Sequence, residues 1–565
     1  MLPTNHLRDL GSNSKTEVTM ITGAKAMVRC LEAEGVTTVF GYPGAAIHHF
    51  YERLSESDTI NHVLVRQEQN AGHMASGYAR ASGGVGVCVV TSGPGATNLI
   101  TAIATAYMDS IPIIAITGQV RSDLLGHDAF QEVDITGSVS PFTKHSYLIK
   151  KASDIPRVFR EAFHIATTGR PGPVLIDIPL DIQTQTFRPF SYPKSVNLKG
   201  YRPSMDGNPK QIKKVSETIS AAKTPLLCIG GGVFSAKAQG LVKRLSEEAG
   251  IPVVTTMMGI GALPTDHPMN IGMIGAFGHK TANKALNETD LLIIVGARAA
   301  DRAITAPSTM EKRAKTIHID IDPAEIGKNV NTTVPLVGDL SLVLEKLLEE
   351  RPVANCGKWL AGLKELAKAE KDKIASPRTE TIGPKRFLRE LGNQMDDHAF
   401  VVGDVGQNQL WTAKYLPVKS GRFLTSGGLG TMGYSLPAAI GVKKALPETQ
   451  TIAVCGDGSA QMMFNELSTL VANDLDVKIV LFNNRTLGLV YELQGIERYR
   501  TFGVELPNTP DFQKLAAAYG IPSKKIAADA DMAAAISEML TSKGPFLLEC
   551  IVSREEGTKT IYEVI

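Results

Sequence analysis

Ile452-Ala453-Val454-Cys455-Gly456-Asp457-Gly458-Ser459, followed some two dozen residues on by Ile479-Val480-Leu481-Phe482-Asn483-Asn484, decides how this chain is read. An apolar run enters a glycine turn. A helix-length stretch follows, then a second apolar run. That order spells strand, turn, helix, parallel strand. Both strands of such a unit end on one edge of the sheet, where open α/β sheets take their ligands. Glycines at 456 and 458 let the backbone approach phosphate oxygens, and the helix N-terminus favours an anion. Asp457 offers a hard carboxylate of the kind Mg²⁺ prefers, and Mg²⁺ shares its ligands readily with phosphates. Asn484, at the next strand end, is placed to converge with Asp457 on one ion. A Gly-Asp-Gly triplet alone is often only a tight turn; the strand context and the Asn-Asn pair make it a strong signal for a metal ion shared with a phosphate.

The same alternation extends outward through the chain, with apolar runs at 85–90, 111–116, 174–178, 226–229, 291–295 and 316–321. Two stretches break it. Residues 187–210 are rich in Pro, Lys, Tyr and Ser. Residues 351–385 hold a charged helical pattern (359–373) between prolines. Both read as linkers. The expected organisation is an N-terminal extension (1–19), a first domain (20–186), a linker (187–204), a middle domain (205–350), a second linker (351–380), a third domain (381–550) and a tail (551–565). The expected fold class is α/β: three doubly wound domains with mostly parallel sheets, the first and third alike and the middle one Rossmann-like. In the first block, residues 87–90 run into Ser92-Gly93-Pro94-Gly95 and on to 111–116, the outline of the 452–484 unit. This suggests a distant duplication, although any two strand-helix-strand units share that outline.

Composition narrows the class. Of 565 residues, 43% are hydrophobic and 21% charged, and the formal net charge is +2. No basic cluster points to nucleic acid or an anionic membrane as partner. No apolar run approaches the ~18 residues of a membrane span. The six cysteines contain no CxxC pair and are expected to be buried, reduced thiols of a cytoplasmic protein. Residues 1–19 lack the features of a signal or transit peptide, and Met20 is an alternative start.

The Gly-Asp-Gly-Ser to Asn-Asn unit resembles the thiamine diphosphate motif shared by a whole superfamily. The resemblance implies metal binding by the Asp457 and Asn484 side chains and the Thr486 carbonyl. It places Gly456 and Ser459 at the diphosphate, with Gly406-Gln407-Asn408-Gln409 helping to hold it. Val65-Arg66-Gln67-Glu68-Gln69-Asn70-Ala71 and the stretch through Arg80 resemble the segment around the family's catalytic glutamate. Glu68 would accept a hydrogen bond from N1′ of the aminopyrimidine. Proton sharing there needs a raised carboxyl pKa, so Glu68 is expected to be buried with no Lys or Arg partner. Met432, in Gly428-Leu429-Gly430-Thr431-Met432-Gly433, resembles the residue wedged between the two cofactor rings.

Further stretches resemble acetohydroxyacid synthase (acetolactate synthase) large subunits, from about residue 20 to 550. They are Gly41-Tyr42-Pro43-Gly44, Thr91-Ser92-Gly93-Pro94-Gly95-Ala96-Thr97-Asn98, Asp128-Ala129-Phe130-Gln131-Glu132 and Gly169-Arg170-Pro171-Gly172-Pro173-Val174. Gly44, Pro94, Asn98 and Gly430 are the matching cofactor positions, and the family places Phe130 and Gln131 near the substrate. In biosynthetic members the middle block binds FAD, which does no net redox chemistry; Arg170, Gly272, Arg298 and Asp320 match here. Arg302 resembles the arginine that holds the carboxylate of the second 2-oxo acid, a task suited to a two-pronged guanidinium. The implied reaction is a decarboxylating condensation. Pyruvate loses CO₂ and its two-carbon unit joins a second 2-oxo acid, giving 2-acetolactate or 2-aceto-2-hydroxybutyrate, the first step of branched-chain amino-acid biosynthesis. The alternatives are another thiamine diphosphate-dependent decarboxylase or lyase, or acetolactate formation in catabolism. A homodimer or homotetramer is implied, and in many members a small regulatory subunit is a further partner.

The chain departs from the family at Ala45, Gln67, Leu180, Ala276-Phe277-Gly278, Ala299-Ala300 and Asn408. Glu492-Leu493-Gln494 stands where Gln-Trp-Gln is usual. In the family that Trp shapes the pocket for the acceptor's alkyl group.

Overall fold

A computed structural model of the protein describes residues 20–372 and 378–558. The expected extension 1–19, residues 373–377 of the second linker and residues 559–565 of the tail lie outside them. Three six-stranded sheets follow one another along the chain, and all their strand pairs are parallel. The central strands show why. Ile113–Gln119 and Val477–Asn483 are buried at every position, so both faces must be covered by helices.

The first sheet uses Thr38–Tyr42, Asn61–Leu64, Gly86–Val90, Ile113–Gln119, His145–Leu148 and Val174–Pro179. The third uses Phe400–Gly403, Arg422–Leu424, Thr451–Gly456, Val477–Asn483, Ser523–Ile526 and Phe546–Ile551. Numbered in chain order within each sheet, both lie in the spatial order 2-1-3-4-6-5. This shared order is far more specific than the local outline visible in the sequence. The middle sheet, built from Pro225–Ile229, Val253–Thr255, Asn270–Met273, Leu291–Val295, Lys315–Asp320 and Val334–Val337, has the dinucleotide-binding order 3-2-1-4-5-6. In the second linker a helix, Gly357–Asp372, lies against Lys280–Glu288 of the middle domain.

Two helices join the first and third domains. Glu68–Ser82 and Ser435–Ala445 pack antiparallel. A Cβ built at Gly77 would lie 2.0 Å from the Ala438 carbonyl oxygen, and one at Gly441 would lie 2.0 Å from that of Met74. The two backbones touch, and only glycine leaves room for this. One core cluster consequently runs without a break through both domains, from Phe40 and Ala75 to Leu436, Ile440 and Leu481.

The expected tail from residue 551 is corrected in part. The last strand ends at Ile551, and the residues after it are bound to the third domain. Trp411 Nε1 donates to the Gly557 carbonyl at 3.3 Å, and Glu492 accepts from the Thr558 N–H and hydroxyl at 3.0 Å. Backbone groups held by buried partners do not behave as a free end. All six cysteines are buried and free, as expected. Among the described residues no helix is long and apolar enough to cross a membrane.

Overpacking a close contact costs about 1–3 kcal/mol or more, so Gly77→Ala is expected to lower unfolding free energy by that amount. Gly362→Ala, in an exposed helix with nothing within 4 Å, is expected to raise stability by up to about 1 kcal/mol through helix propensity. Urea titration of both variants checks the pair.

Candidate active site

In sheets ordered 2-1-3-4, the crevice lies between strands 1 and 3. In the third domain those strands end at Gly403 and Gly456, so Gly406-Gln407 and Asp457-Gly458 flank the crevice. Gln407 and Asp457 each open a helix, Gln407–Tyr415 and Asp457–Met463. Gly456 pairs with Phe482 across the neighbouring strands, which brings Asn483 and Asn484 to the same edge.

Asp457 is 2% exposed. Its Oδ1 accepts from the Gly458 N–H at 3.1 Å, while its buried Oδ2 has no hydrogen-bond partner among the described residues. Burial pushes its carboxyl up to about 7. A buried acceptor without a donor is costly, and a cation is what such an oxygen lacks. Asn484 Oδ1 accepts from the Thr486 N–H at 3.2 Å, and its Nδ2 donates to Gln407 Oε1 at 3.1 Å. The Thr486 hydroxyl donates to Val504 O at 2.9 Å, and among the described residues no hydrogen bond reaches the Thr486 carbonyl. The three oxygens are therefore available for a metal, and the donor set is the hard-oxygen type that Mg²⁺ takes. Met432 overhangs the turn, its terminal methyl 3.6 Å from where a Gly458 Cβ would be. Gly430, at φ 74°, has nothing within 4 Å of its own Cβ position.

Two expected roles change here. The Ser459 hydroxyl donates to Gly456 O and accepts from Gly456 N, both at 3.2 Å, so it shapes the turn from within. The Gln407 side chain is committed inside the protein. Its Nε2 donates to Glu492 at 3.1 Å and to Glu556 O at 3.0 Å, and its Oε1 accepts from Asn484. The N-terminal amides of its helix are left to face an anion.

The first domain repeats this arrangement. Its crevice is flanked by Gly44, packed on the Thr91 side chain, and by the short helix Pro94–Asn98. Glu68 opens the helix after strand 2, and Asn98 Nδ2 donates to Glu68 Oε2 at 2.9 Å. No salt bridge links Glu68 to a Lys or Arg among the described residues, and it is half-buried where burial was expected. Gln131 sits at φ 60° against Gly93, in a loop bound by Glu132 to the Ala129 N–H at 3.0 Å, and Phe130 is 88% exposed. Non-glycine residues held in this left-handed region concentrate at functional sites.

The two half-sites do not meet within one chain. The antiparallel helix pair aligns Gly77 with Ala438, which puts Glu68 at one end and Met432 beyond the other. At 1.5 Å per residue the offset along the axis is roughly 20 Å.

In the middle domain, Gly231, Gly232, Gly296, Arg298 and Asp320 line a cavity of about 620 Å³ that reaches Ser426–Gly430 of the third domain and Arg170 of the first. Arg298 Nη2 lies 3.0 Å from where a Gly428 Cβ would be. Arg170 pairs with Glu325 at 2.7 Å and Asp322 at 3.3 Å. Burial pushes the Asp320 carboxyl up to about 6. Gly272 stands apart from these. Its N–H donates to Asn270 Oδ1 at 3.0 Å, its α-carbon packs on the His279 ring, and it lines a second cavity. Arg302 is exposed at the mouth of the first cavity, 5.7 Å from the Phe277 ring centre.

Three carboxylates that motif reading passed over hold the site together. Asp404, buried, accepts from the N–H groups of Gly433 and Ser435 at 2.9 and 2.8 Å and so fixes the Met432 turn. Asp109 accepts from the Gly427 and Gly428 N–H groups at 3.1 and 2.7 Å. Glu466, fully buried, accepts from the Arg66 and Gln67 N–H groups at 2.9 and 3.2 Å and from Asn70 Nδ2 at 2.9 Å, anchoring the segment that carries Glu68. Asp404 has a local signal, a carboxylate at a strand end. Glu466 has none for this role, since the Arg66, Gln67 and Asn70 groups it holds lie some 400 residues away.

Three stretches match family descriptions: residues 21–138 the N-terminal TPP binding domain of thiamine pyrophosphate enzymes, residues 212–347 their central domain, and residues 404–550 their C-terminal TPP binding domain. Similar proteins include a probable acetolactate synthase large subunit of Methanocaldococcus jannaschii, 46% identical over 95% of this chain and 92% of the relative. An acetolactate synthase of Arthrospira platensis is 44% identical over 96% of each chain. The acetolactate synthase isozyme 3 large subunit of Escherichia coli K12 is 42% identical over 96% of each.

Glu466→Ala would strand two backbone N–H groups and an amide, each worth about 1–3 kcal/mol when buried unpaired. The variant is expected to lose at least about 2 kcal/mol in urea unfolding, with a lower turnover as Glu68 loosens.

Proposed function

Because the chain belongs to the acetolactate synthase large subunits, within the thiamine pyrophosphate enzymes, we propose that its two half-sites close on thiamine diphosphate and Mg²⁺ across a pair of chains. The reaction is the condensation of two 2-oxo acids with loss of CO₂, the first committed step toward branched-chain amino acids. Two pyruvates give 2-acetolactate; pyruvate and 2-oxobutyrate give 2-aceto-2-hydroxybutyrate. The observation that carries the site assignment is the buried, unpartnered Oδ2 of Asp457 beside Asn484 at the crevice of the third sheet.

When bound, the cofactor supplies the carbon nucleophile and electron sink that decarboxylation of a 2-oxo acid requires. The chain's residues do the rest. Asp457, Asn484 and the Thr486 carbonyl hold the cation. Glu68, oriented by Asn98, holds the proton at the aminopyrimidine N1′. Closing the crevice with a second copy would cover its open face and take water away from the carboxyl. Met432 would present an unbranched apolar side chain to the cofactor above the Gly456-Asp457-Gly458 turn. Arg302 receives the carboxylate of the second 2-oxo acid, and Phe130 and Gln131 border the substrate from the partner copy. The cavity at the middle crevice, with Arg298 and Asp320, is the site for FAD; its size falls within the range of cofactor pockets. The relatives' title of large subunit supports a small regulatory subunit as a partner.

Incubation with pyruvate, thiamine diphosphate and Mg²⁺, with and without FAD, should yield 2-acetolactate; acetaldehyde as sole product would overturn the reading. Glu68→Gln and Asp457→Asn should each abolish most turnover. Mixed after dissociation and reassociation, they should regain roughly a quarter of parental activity, since half the dimers are mixed and one of the two sites in each is intact. No recovery despite chain exchange would exclude a site shared between copies.

Leu493 is 41% exposed on helix Gly488–Ile496 and lacks the aromatic face of the usual Trp. With both acceptors present, preference for 2-oxobutyrate over pyruvate is expected to be weaker than in Trp-bearing relatives. The ratio of the two products in a competition assay measures it.

A further inference from the structure

Glu492 stands where the family resemblance leads one to expect Gln, and its carboxylate is fully used. The Thr558 N–H and hydroxyl both donate to it at 3.0 Å, and Gln407 Nε2 donates to it at 3.1 Å. The other Gln407 amide hydrogen goes to Glu556 O at 3.0 Å. A carboxylate and a backbone carbonyl can only accept. Between them they fix which way the Gln407 amide faces, nitrogen toward residues 492 and 556 and oxygen toward Asn484. Asn484 Nδ2 donates to that oxygen at 3.1 Å, which leaves Asn484 Oδ1 on the opposite side, held by the Thr486 N–H at 3.2 Å. The contact is close. A Cβ at Gly488 would come within 1.9 Å of Gln407 Oε1 and 2.7 Å of Asn484 Nδ2, so the two amides cannot turn over independently. Residues 555–558 are bound to the same place by Trp411 Nε1 at Gly557 O, 3.3 Å, and Tyr491 at Glu555, 2.9 Å.

We propose that Glu492 is a positioning residue of the metal site: through Gln407 it turns the Asn484 carbonyl oxygen toward the cation, and through Thr558 it ties that orientation to the C-terminal segment. This rests on the assignment of Asp457 and Asn484 as metal ligands. Groups that orient a ligand from behind typically change metal affinity 10–100-fold when removed.

The test is a Mg²⁺ titration at fixed thiamine diphosphate, followed by intrinsic tryptophan fluorescence, for which Trp411 on helix Gln407–Tyr415 is a local reporter. Turnover is not the readout. Glu492→Leu, similar in size but without an acceptor, should raise the half-saturating Mg²⁺ concentration at least about tenfold. Glu492→Gln, which keeps one oxygen for Gln407, should stay within about threefold of the parent by the same reasoning. Gln407→Met, which breaks the relay but leaves the Thr558 bonds, should match Glu492→Leu and carries the test if that variant does not fold. The double variant should be no worse than either single one. A folded Glu492→Leu with parental Mg²⁺ half-saturation, while Asp457→Asn weakens binding strongly, would overturn the positioning role alone. Parental Mg²⁺ binding by Asp457→Asn would overturn the metal assignment beneath it.

Discussion

The backbone contact between helices Glu68–Ser82 and Ser435–Ala445 is the constraint on which the rest of the molecule depends. Gly77 and Gly441 let the helices approach until a Cβ would overlap the facing carbonyls. This fuses the cores of the first and third domains into one cluster, and it fixes geometry as well as stability. An antiparallel pair displays its two ends in opposite directions, so the groups at those ends, Glu68 and Met432, are held apart by the very contact that joins their domains.

Carboxylates do much of the remaining work. Asp404, Asp109, Glu466 and Glu492 each accept N–H groups from segments distant in the chain, and charge-assisted bonds of this kind are short and strong. Each fastens a loop that carries a site residue: the Met432 turn, the Gly427-Gly428 approach to it, the Glu68 segment, and the C-terminal residues over Gln407. Asp457 is the exception. One of its buried oxygens has no donor among the described residues, so it fastens less than it could and keeps a lone pair facing the crevice.

Local patterns proved most readable where chemistry is carried by neighbours in sequence. The Gly-Asp-Gly-Ser turn, the Asn-Asn strand end and the Pro94–Asn98 turn all fall at sheet crevices, because strand ends and glycine turns dictate those positions. Assignments made residue by residue transferred less evenly. Gln407 turned out to be spent on internal hydrogen bonds, Ser459 on its own turn, and Gly272 on packing against His279. In each case the competing partner is one that no local pattern announces. Glu68 is half-buried rather than buried, because how far a side chain is covered depends on which surfaces pack over it, and no local pattern contains them.

By itself the sequence determined the α/β class, the succession of three parallel sheets, the Gly-Asp-Gly-Ser turn with the Asn-Asn pair on the same sheet edge, and the family. These rest on hydrophobic periodicity and on glycines and carboxylates at fixed spacing, all short-range features. Only the tertiary structure decided that the first and third sheets share one strand order, that Glu68 and Met432 lie toward opposite ends of one helix pair, and that Glu466 bonds the segment before Glu68 while Glu492 reaches Asn484 through Gln407. Those outcomes depend on which strands neighbour one another and which side chains meet across long stretches of chain. Such contacts are set by packing the whole chain into one core, and no window of sequence contains both partners.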